Sequence, residues 1–198
     1  HTFILKEGRF SSMNILVTLD SNYIKPLKIM LKSLFLNNQE ESFAIYVMHS
    51  SLDAQELEDL RQFIDNHGSQ LNVIYVDDDC FEDAPTLLHY TKAMYYRLLA
   101  FKFLPQELDR ILYLDPDILV INSIRELYDT DIEGYLYAAS YHDKIALKEV
   151  NKVRLNVYDI DAYYNSGVLL MNLPLQRQLI DEKVIYDFVD KNRSKLIM

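Results

Sequence analysis

The sequence predicts an α/β fold: a mainly parallel sheet flanked by helices. Three observations carry this. Apolar runs of strand length alternate with amphipathic helical segments from residue 14 onward. Strand, helix, strand, helix, strand in direct succession calls for right-handed crossover units. A further apolar run, "RILYL" (110–114), ends abruptly in Asp115-Pro116-Asp117, as a strand does when its carboxyl end meets a ligand rim.

The elements follow in order. "NILVTL" (14–19) is too short for a core helix and is bounded by "DSN", so it reads as a buried strand. "IKPLKIMLKSLFLNN" places Leu27, Met30, Leu31, Leu34 and Phe35 on one helical face, with Pro26 near the start, where its missing donor costs little. "FAIYVMHS" (43–50) is the second strand. The next helix carries Asp53 as N-cap, Glu56 three residues on and Gly68 as its stop. "QLNVIYV" (70–76) is the third strand. The acidic, proline-bearing stretch 77–85 reads as a loop, and 91–105 as a helix closed by Pro105. "RILYL" is the fourth strand, with Ile118–Ile121 continuing the apolar run beyond the acids. "YLYAAS" (135–140) and "YNSGVLLMNL" (164–173) are further strands, separated by a polar, helix-prone stretch (142–157).

The chain has 198 residues, 49% hydrophobic and 25% charged, which suits one sizeable domain. Residues 13–198 are expected to form it. Residues 1–12 read as a short extension, natural or artificial, without the apolar stretch of a secretory signal. The helix-like segment that reaches Met198 suggests a domain cut before its end. A formal charge of −10 speaks against broad nucleic-acid binding. No apolar run approaches membrane-span length. The single cysteine, Cys80, cannot form an internal disulfide and reads as a structural thiol, so a cytoplasmic, reducing location is expected. With four glycines and neither GxGxxG nor GxxxxGK[ST], the dinucleotide and P-loop sites fall away.

Two acids separated by one residue in a tight turn can aim oxygens at one hard cation, Mn2+ or Mg2+, which would offset the charge of a diphosphate. The same tripeptide also suits a plain solvated turn, since proline and aspartate favour turns. Asp20, at the end of the first strand, falls on the same rim as Asp115. His89 and His142 have no second histidine at ligand spacing and read as packing or surface residues.

The surroundings of the D-x-D are more specific. "LVTLDSNYIKPLKIMLKSL", "TKAMYYRLLAFKFLP", the D-x-D run with "ILVI", and "YYNSGVLLMNL" stand in that order between residues 13 and 173. Together they resemble the family 8 glycosyltransferases, retaining enzymes of the Rossmann-like GT-A fold. That family includes bacterial lipopolysaccharide galactosyl- and glucosyltransferases, and glycogenin is a relative. The resemblance implies a metal-dependent hexosyltransferase that takes UDP-glucose or UDP-galactose as donor and a glycan, lipopolysaccharide or other acceptor. By the same resemblance Asp20 accepts a hydrogen bond from the uracil ring, Tyr23 stacks on it, and Asn22 lies in the same nucleotide-facing turn. Arg97 reaches the donor sugar and diphosphate, with Thr91 and Lys92 in support. Asp115 and Asp117 hold manganese against the diphosphate. Asn165 faces the transferred sugar, and Gly167 gives the backbone room beside it. Tyr163 and Tyr164 are candidates for an acceptor groove. Membrane association, if any, is expected through a segment outside this sequence.

The family's D-Q-D-like segment and H-x-x-G histidine do not occur in residues 174–198. Retention in glycosidases uses two flanking carboxylates. No convincing nucleophile is evident here, and the family's step is generally discussed as a same-face displacement. Two rivals are weighed. A haloacid-dehalogenase-like phosphatase also ends a strand in D-x-D, but on its first strand and with Thr or Val where this chain has Leu119. A nucleotide-sugar-binding module without catalysis is the non-enzymatic alternative.

Overall fold

The computed structural model describes residues 12–77, 93–141 and 164–191. Cys80, His89, Thr91, Lys92, His142, Tyr163, residues 1–11, most of the acidic loop and the helix-prone stretch 142–157 lie outside the described residues. The described elements are β1 (Met13–Thr18), a 3-10 turn (Ser21–Tyr23), α1 (Ile24–Asn37), β2 (Phe43–His49), α2 (Ala54–Asp65) and β3 (Gln70–Tyr75). They continue with α3 (Ala93–Tyr96), a 3-10 turn (Arg97–Leu99), α4 (Ala100–Phe103), β4 (Arg110–Leu114) and α5 (Arg125–Tyr128). The last are β5 (Tyr137–Tyr141), β6 (Tyr164–Asn172), α6 (Leu173–Leu179) and α7 (Glu182–Lys191).

The strands form one sheet in the order β3-β2-β1-β4-β6-β5. β1, β2, β3 and β4 run parallel, as the alternating pattern requires, while β6 is antiparallel to both β4 and β5. The prediction of a mainly parallel sheet therefore holds for four strands and stops at β6. Leu27, Leu31, Leu34, Leu60 and Ile64 cover one face from α1 and α2. Tyr96, Leu99, Phe101, Leu104 and Leu173 cover the other from α3, α4 and α6. Burial on both faces explains the near-continuous apolar runs of β1 and β2.

Two expectations need correction. The helix predicted across 91–105 is broken within its described part by the 3-10 turn at Arg97–Leu99. β5 begins at Tyr137, two residues later than predicted. Beyond β4, which ends before the acids as expected, the apolar run Ile118–Ile121 forms no strand: Leu119 is 63% and Ile121 75% exposed. Side chains of α1 and of its C-cap, Asn38, hold this segment through its backbone. Ser33 Oγ accepts from Val120 N (2.9 Å), Asn37 Nδ2 donates to Val120 O (2.9 Å), and Asn38 Oδ1 accepts from Ile124 N (2.9 Å). α6, missed from sequence, had its signal in "NLP": Asn172 caps it, accepting from Leu175 N at 3.2 Å, and Pro174 sits in its first turn.

Arg177 on α6 ties this helix to its neighbour α4 on the same face of the sheet. Its guanidinium donates to the carbonyls of Phe101, Leu104, Pro105, Gln106 and Leu108. Those carbonyls belong to the end of α4 and the turn into β4, so one cation satisfies acceptors that a terminating helix leaves open.

Candidate functional site

Strand order reverses between β1 and β4. From β1 the chain winds outward to β2 and β3, then returns to place β4 on the other side of β1. The carboxyl ends of these two strands therefore flank the crevice where open α/β sheets bind ligands. Asp20 follows β1 and Asp115 follows β4.

At the β1 end, Asp20 caps the 3-10 turn: its Oδ1 accepts from Asn22 N at 2.9 Å, and its carbonyl accepts from Tyr23 N at 3.0 Å. One carboxylate oxygen is thus fixed by the turn and the group is oriented. Asn22 is exposed, and Tyr23 is half-buried against the core side of α1. Tyr23 thus packs on the core while part of its surface stays open to solvent.

At the β4 end, Asp115-Pro116-Asp117 is a tight turn. The carbonyl of Asp115 accepts from Ile118 N at 3.5 Å, and proline occupies the position where its fixed φ suits such a turn. Pro116 is buried while Asp117 is exposed. The backbone of Asp115 is pinned from β6, its N–H donating to Gly167 O at 2.8 Å.

The Asp115 carboxylate divides its two oxygens between two tasks. Oδ1 accepts from Tyr113 OH at 2.6 Å and from Arg97 Nη1 at 3.0 Å. Oδ2 faces Gly167, where a Cβ would come within 2.5 Å of it, and among the described residues no hydrogen bond reaches it. The room predicted for a sugar beside Gly167 is first of all room for this oxygen. Arg97 also donates through Nη1 to Tyr113 OH (3.2 Å) and Ser166 O (3.2 Å), and its guanidinium lies 5.2 Å above the Tyr113 ring. Its Nη2 and Nε make no hydrogen bond among the described residues, leaving the rest of the fork available for an anion.

Asn165, on β6, turns its side chain onto its own strand, Oδ1 accepting from Gly167 N at 2.7 Å. Thus Arg97, Asp115, Asn165 and Gly167 meet at one end of the sheet, with Asp117 in the adjoining turn. Asp20, Asn22 and Tyr23 stand beyond β1. Among the described residues no three His, Cys, Asp or Glu side chains cluster as a metal site. Two carboxylates nevertheless offer hard oxygens, one of them an oxygen without a donor, and that donor set fits a cation completed by ligand oxygens.

Tyr113 was missed in the sequence, although its signal was there: it precedes Asp115 by two residues in a strand and so shares its face. Ser166, which acts through its backbone carbonyl, left none. A groove of about 940 Å3 opens beside Arg97 and Ser166 and is lined further by Tyr135, Tyr137, Tyr164 and Leu169. No helix among the described residues is long and apolar enough to cross a membrane.

This fold, a six-stranded sheet flanked by helices, is that of the GT-A glycosyltransferases. A galactosyltransferase, LgtC, solved with donor and acceptor sugar analogues, superposes with a TM-score of 0.81 at 24% identity, covering 94% of this chain and 66% of its own. The profile of Glycosyl transferase family 8 matches residues 14–197, and the chain belongs to that family. General stress protein A of Bacillus subtilis is 33% identical over 187 residues, which cover 91% of this chain and 63% of that protein. A lipopolysaccharide 1,2-glucosyltransferase of Escherichia coli is 28% identical over 180 residues, 90% of this chain and 52% of that enzyme. The chain therefore spans about half to three-fifths of the length of these curated relatives.

Proposed function

We propose that the protein transfers a hexose from a UDP-sugar, UDP-glucose or UDP-galactose, to a glycan or lipopolysaccharide acceptor with retention of configuration, assisted by Mn2+ or Mg2+. The observation that carries this reading is the meeting of Arg97, Asp115 and the β6 backbone at the switch point, with Asp20 and Tyr23 across the crevice. The names of relatives that act on lipopolysaccharide with glucose or galactose support the sugar class.

The residues divide the work by chemistry. A carboxylate at Asp20 and a flat ring at Tyr23 suit a planar base with an N–H donor. Asp115 and Asp117 would hold the divalent cation, which supplies Lewis-acid neutralisation of the diphosphate. Arg97, anchored by Nη1, turns its remaining donors towards the charge that develops as UDP departs. Fixed donors aimed at developing charge lower such a barrier most effectively. Asn165 and the carbonyl of Ser166 border the position of the transferred sugar. Among the described residues no carboxylate stands in the role of a glycosidase nucleophile, which suits a same-face displacement in which the departing phosphate takes the acceptor proton. The tyrosine-lined end of the groove beside Arg97 offers ring faces to an acceptor.

Calorimetric titration of UDP and ADP, with and without Mn2+, tests the reading. The parent should bind UDP more tightly than ADP, and Mn2+ should strengthen UDP. Asp115→Asn and Asp117→Asn should each lose about tenfold or more in Mn2+-dependent UDP affinity, roughly 1.4 kcal/mol, without loss of fold. Asp20→Ala and Tyr23→Ala should weaken UDP while leaving the response to Mn2+ intact. Equal binding of UDP and ADP by the parent would exclude the base assignment. Parent-like binding by both asparagine variants would reduce the D-x-D to a structural turn.

A further inference from the structure

Tyr113 is among the most deeply buried side chains in the protein, 1% exposed, yet its hydroxyl sits between three polar partners. A tyrosine phenol, which ordinarily ionises only near about pH 10, carries its proton at neutral pH. That single proton has one close acceptor, Asp115 Oδ1 at 2.6 Å. The other two contacts must then donate to the phenol oxygen. Arg97 Nη1 can only donate (3.2 Å), and Thr18 Oγ1 (3.3 Å) supplies its own hydrogen. Every proton in the chain Thr18–Tyr113–Asp115 is therefore directed towards the carboxylate.

The chain also crosses the switch point. Thr18 ends β1, the strand that leads to Asp20, and Tyr113 lies on β4, paired with β1 through Leu16. From this geometry we infer that Tyr113 is a positioning residue, one that turns Asp115 so that Oδ2 alone faces the cation. The inference rests on the proposed function and deepens its diphosphate site. Oδ1 already receives a neutral and a charged donor. A cation seeking that oxygen would have to displace Arg97, whereas Oδ2 stands ready against the bare Cα of Gly167. Without the phenol, the carboxylate could rotate about its Cβ–Cγ bond and offer either oxygen. Groups that orient a ligating carboxylate in this way commonly affect metal affinity strongly.

The test is a double-mutant cycle on the full chain, with UDP titrated in the presence and absence of saturating Mn2+. Tyr113→Phe should lose about tenfold in Mn2+-dependent UDP affinity, within the range such orienting groups show, and should keep the parent's Mn2+-free affinity. In an Asp115→Asn background the same substitution should change nothing further, because the residue acts through that carboxylate. Thermal unfolding of each variant accompanies the titrations. If Tyr113→Phe does not fold, Thr18→Val serves instead, expected to weaken Mn2+-dependent binding in the same direction by a smaller factor. Parent-like binding by Tyr113→Phe would overturn the inference. So would an equal loss in the parent and in the Asp115→Asn background, or an equal loss with and without Mn2+ alongside a lowered melting temperature. A parent that fails to bind UDP with Mn2+ would remove the proposed function as well, so the two failures are told apart by the parent alone.

Discussion

Gly167 has its meaning in what stands beside it. A Cβ at this position would lie 2.5 Å from Asp115 Oδ2, 3.1 Å from Asn165 Oδ1 and 3.2 Å from Asp115 Cγ. Asp115 cannot simply swing away, since Tyr113, Arg97 and its own backbone hydrogen bond hold it in place. Gly167→Ala should therefore push the carboxylate out of line more than it disturbs the core. The expected outcome is a loss of Mn2+-dependent UDP affinity of about tenfold, comparable with losing a group that orients the ligand. Urea unfolding should change by no more than about 1–3 kcal/mol, the usual cost of local overpacking. A stability loss with unchanged nucleotide binding would place the strain elsewhere. The acids, Arg97 and Asn165 were legible in the sequence because they interrupt apolar patterns or match family motifs. Tyr113 was less so, since a tyrosine in a strand ordinarily reads as core.

The segment after the D-x-D turn owes its place to a helix instead of a strand. Ile118–Ile121 has the apolar composition of a buried strand but forms none. What decides against it is the ladder of Ser33 and Asn37 on α1 and of its C-cap, Asn38, which takes up the backbone groups of Val120 and Ile124. Asn38 is 5% exposed and also donates to Leu34 O at 2.8 Å. Asn38→Ala should leave Ile124 N–H buried without an acceptor and cost about 1–3 kcal/mol in urea unfolding. The D-x-D turn sits one short segment away, so a weakened nucleotide response is expected to follow only where the segment itself loosens, as protection of the 118–124 amides from exchange would reveal. The break at Arg97–Leu99 was equally hidden. Tyr96, Leu99, Ala100 and Leu104 are buried at intervals that a continuous α-helix also satisfies. A single 3-10 turn leaves too small a phase error for the pattern to register.

At the scale of the molecule, the two halves of the proposed nucleotide site hang on neighbouring strands that are far apart in the chain. β1 and β4 carry the base-side and diphosphate-side residues, and the sheet holds them in fixed relation. A ligand that bridges them should stabilise the whole fold by mass action. UDP with Mn2+ at about a hundred times its dissociation constant is expected to add about 2.7 kcal/mol. For a domain of this size that corresponds to a rise in melting temperature of roughly 5–10 °C. ADP at equal concentration should give a smaller rise, and Asp115→Asn should remove the part that depends on Mn2+. An unchanged melting temperature at saturating UDP and Mn2+ would contradict a site shared between the strands.

The sequence by itself determined the strands and helices of the first half, the parallel sense of β1, β2 and β3, and the acids at the ends of β1 and β4. Each is written locally, in periodicity, caps and abrupt changes from apolar to acidic residues. Only the tertiary structure decided that β6 runs antiparallel between β4 and β5. That pairing brings Ser166 O to Arg97 from 69 residues away and sets Gly167 against Asp115. The physical reason is that a strand's pattern records which face is buried but not which strand lies beside it. Pairing is settled by which apolar faces can be covered together, and that depends on the whole chain.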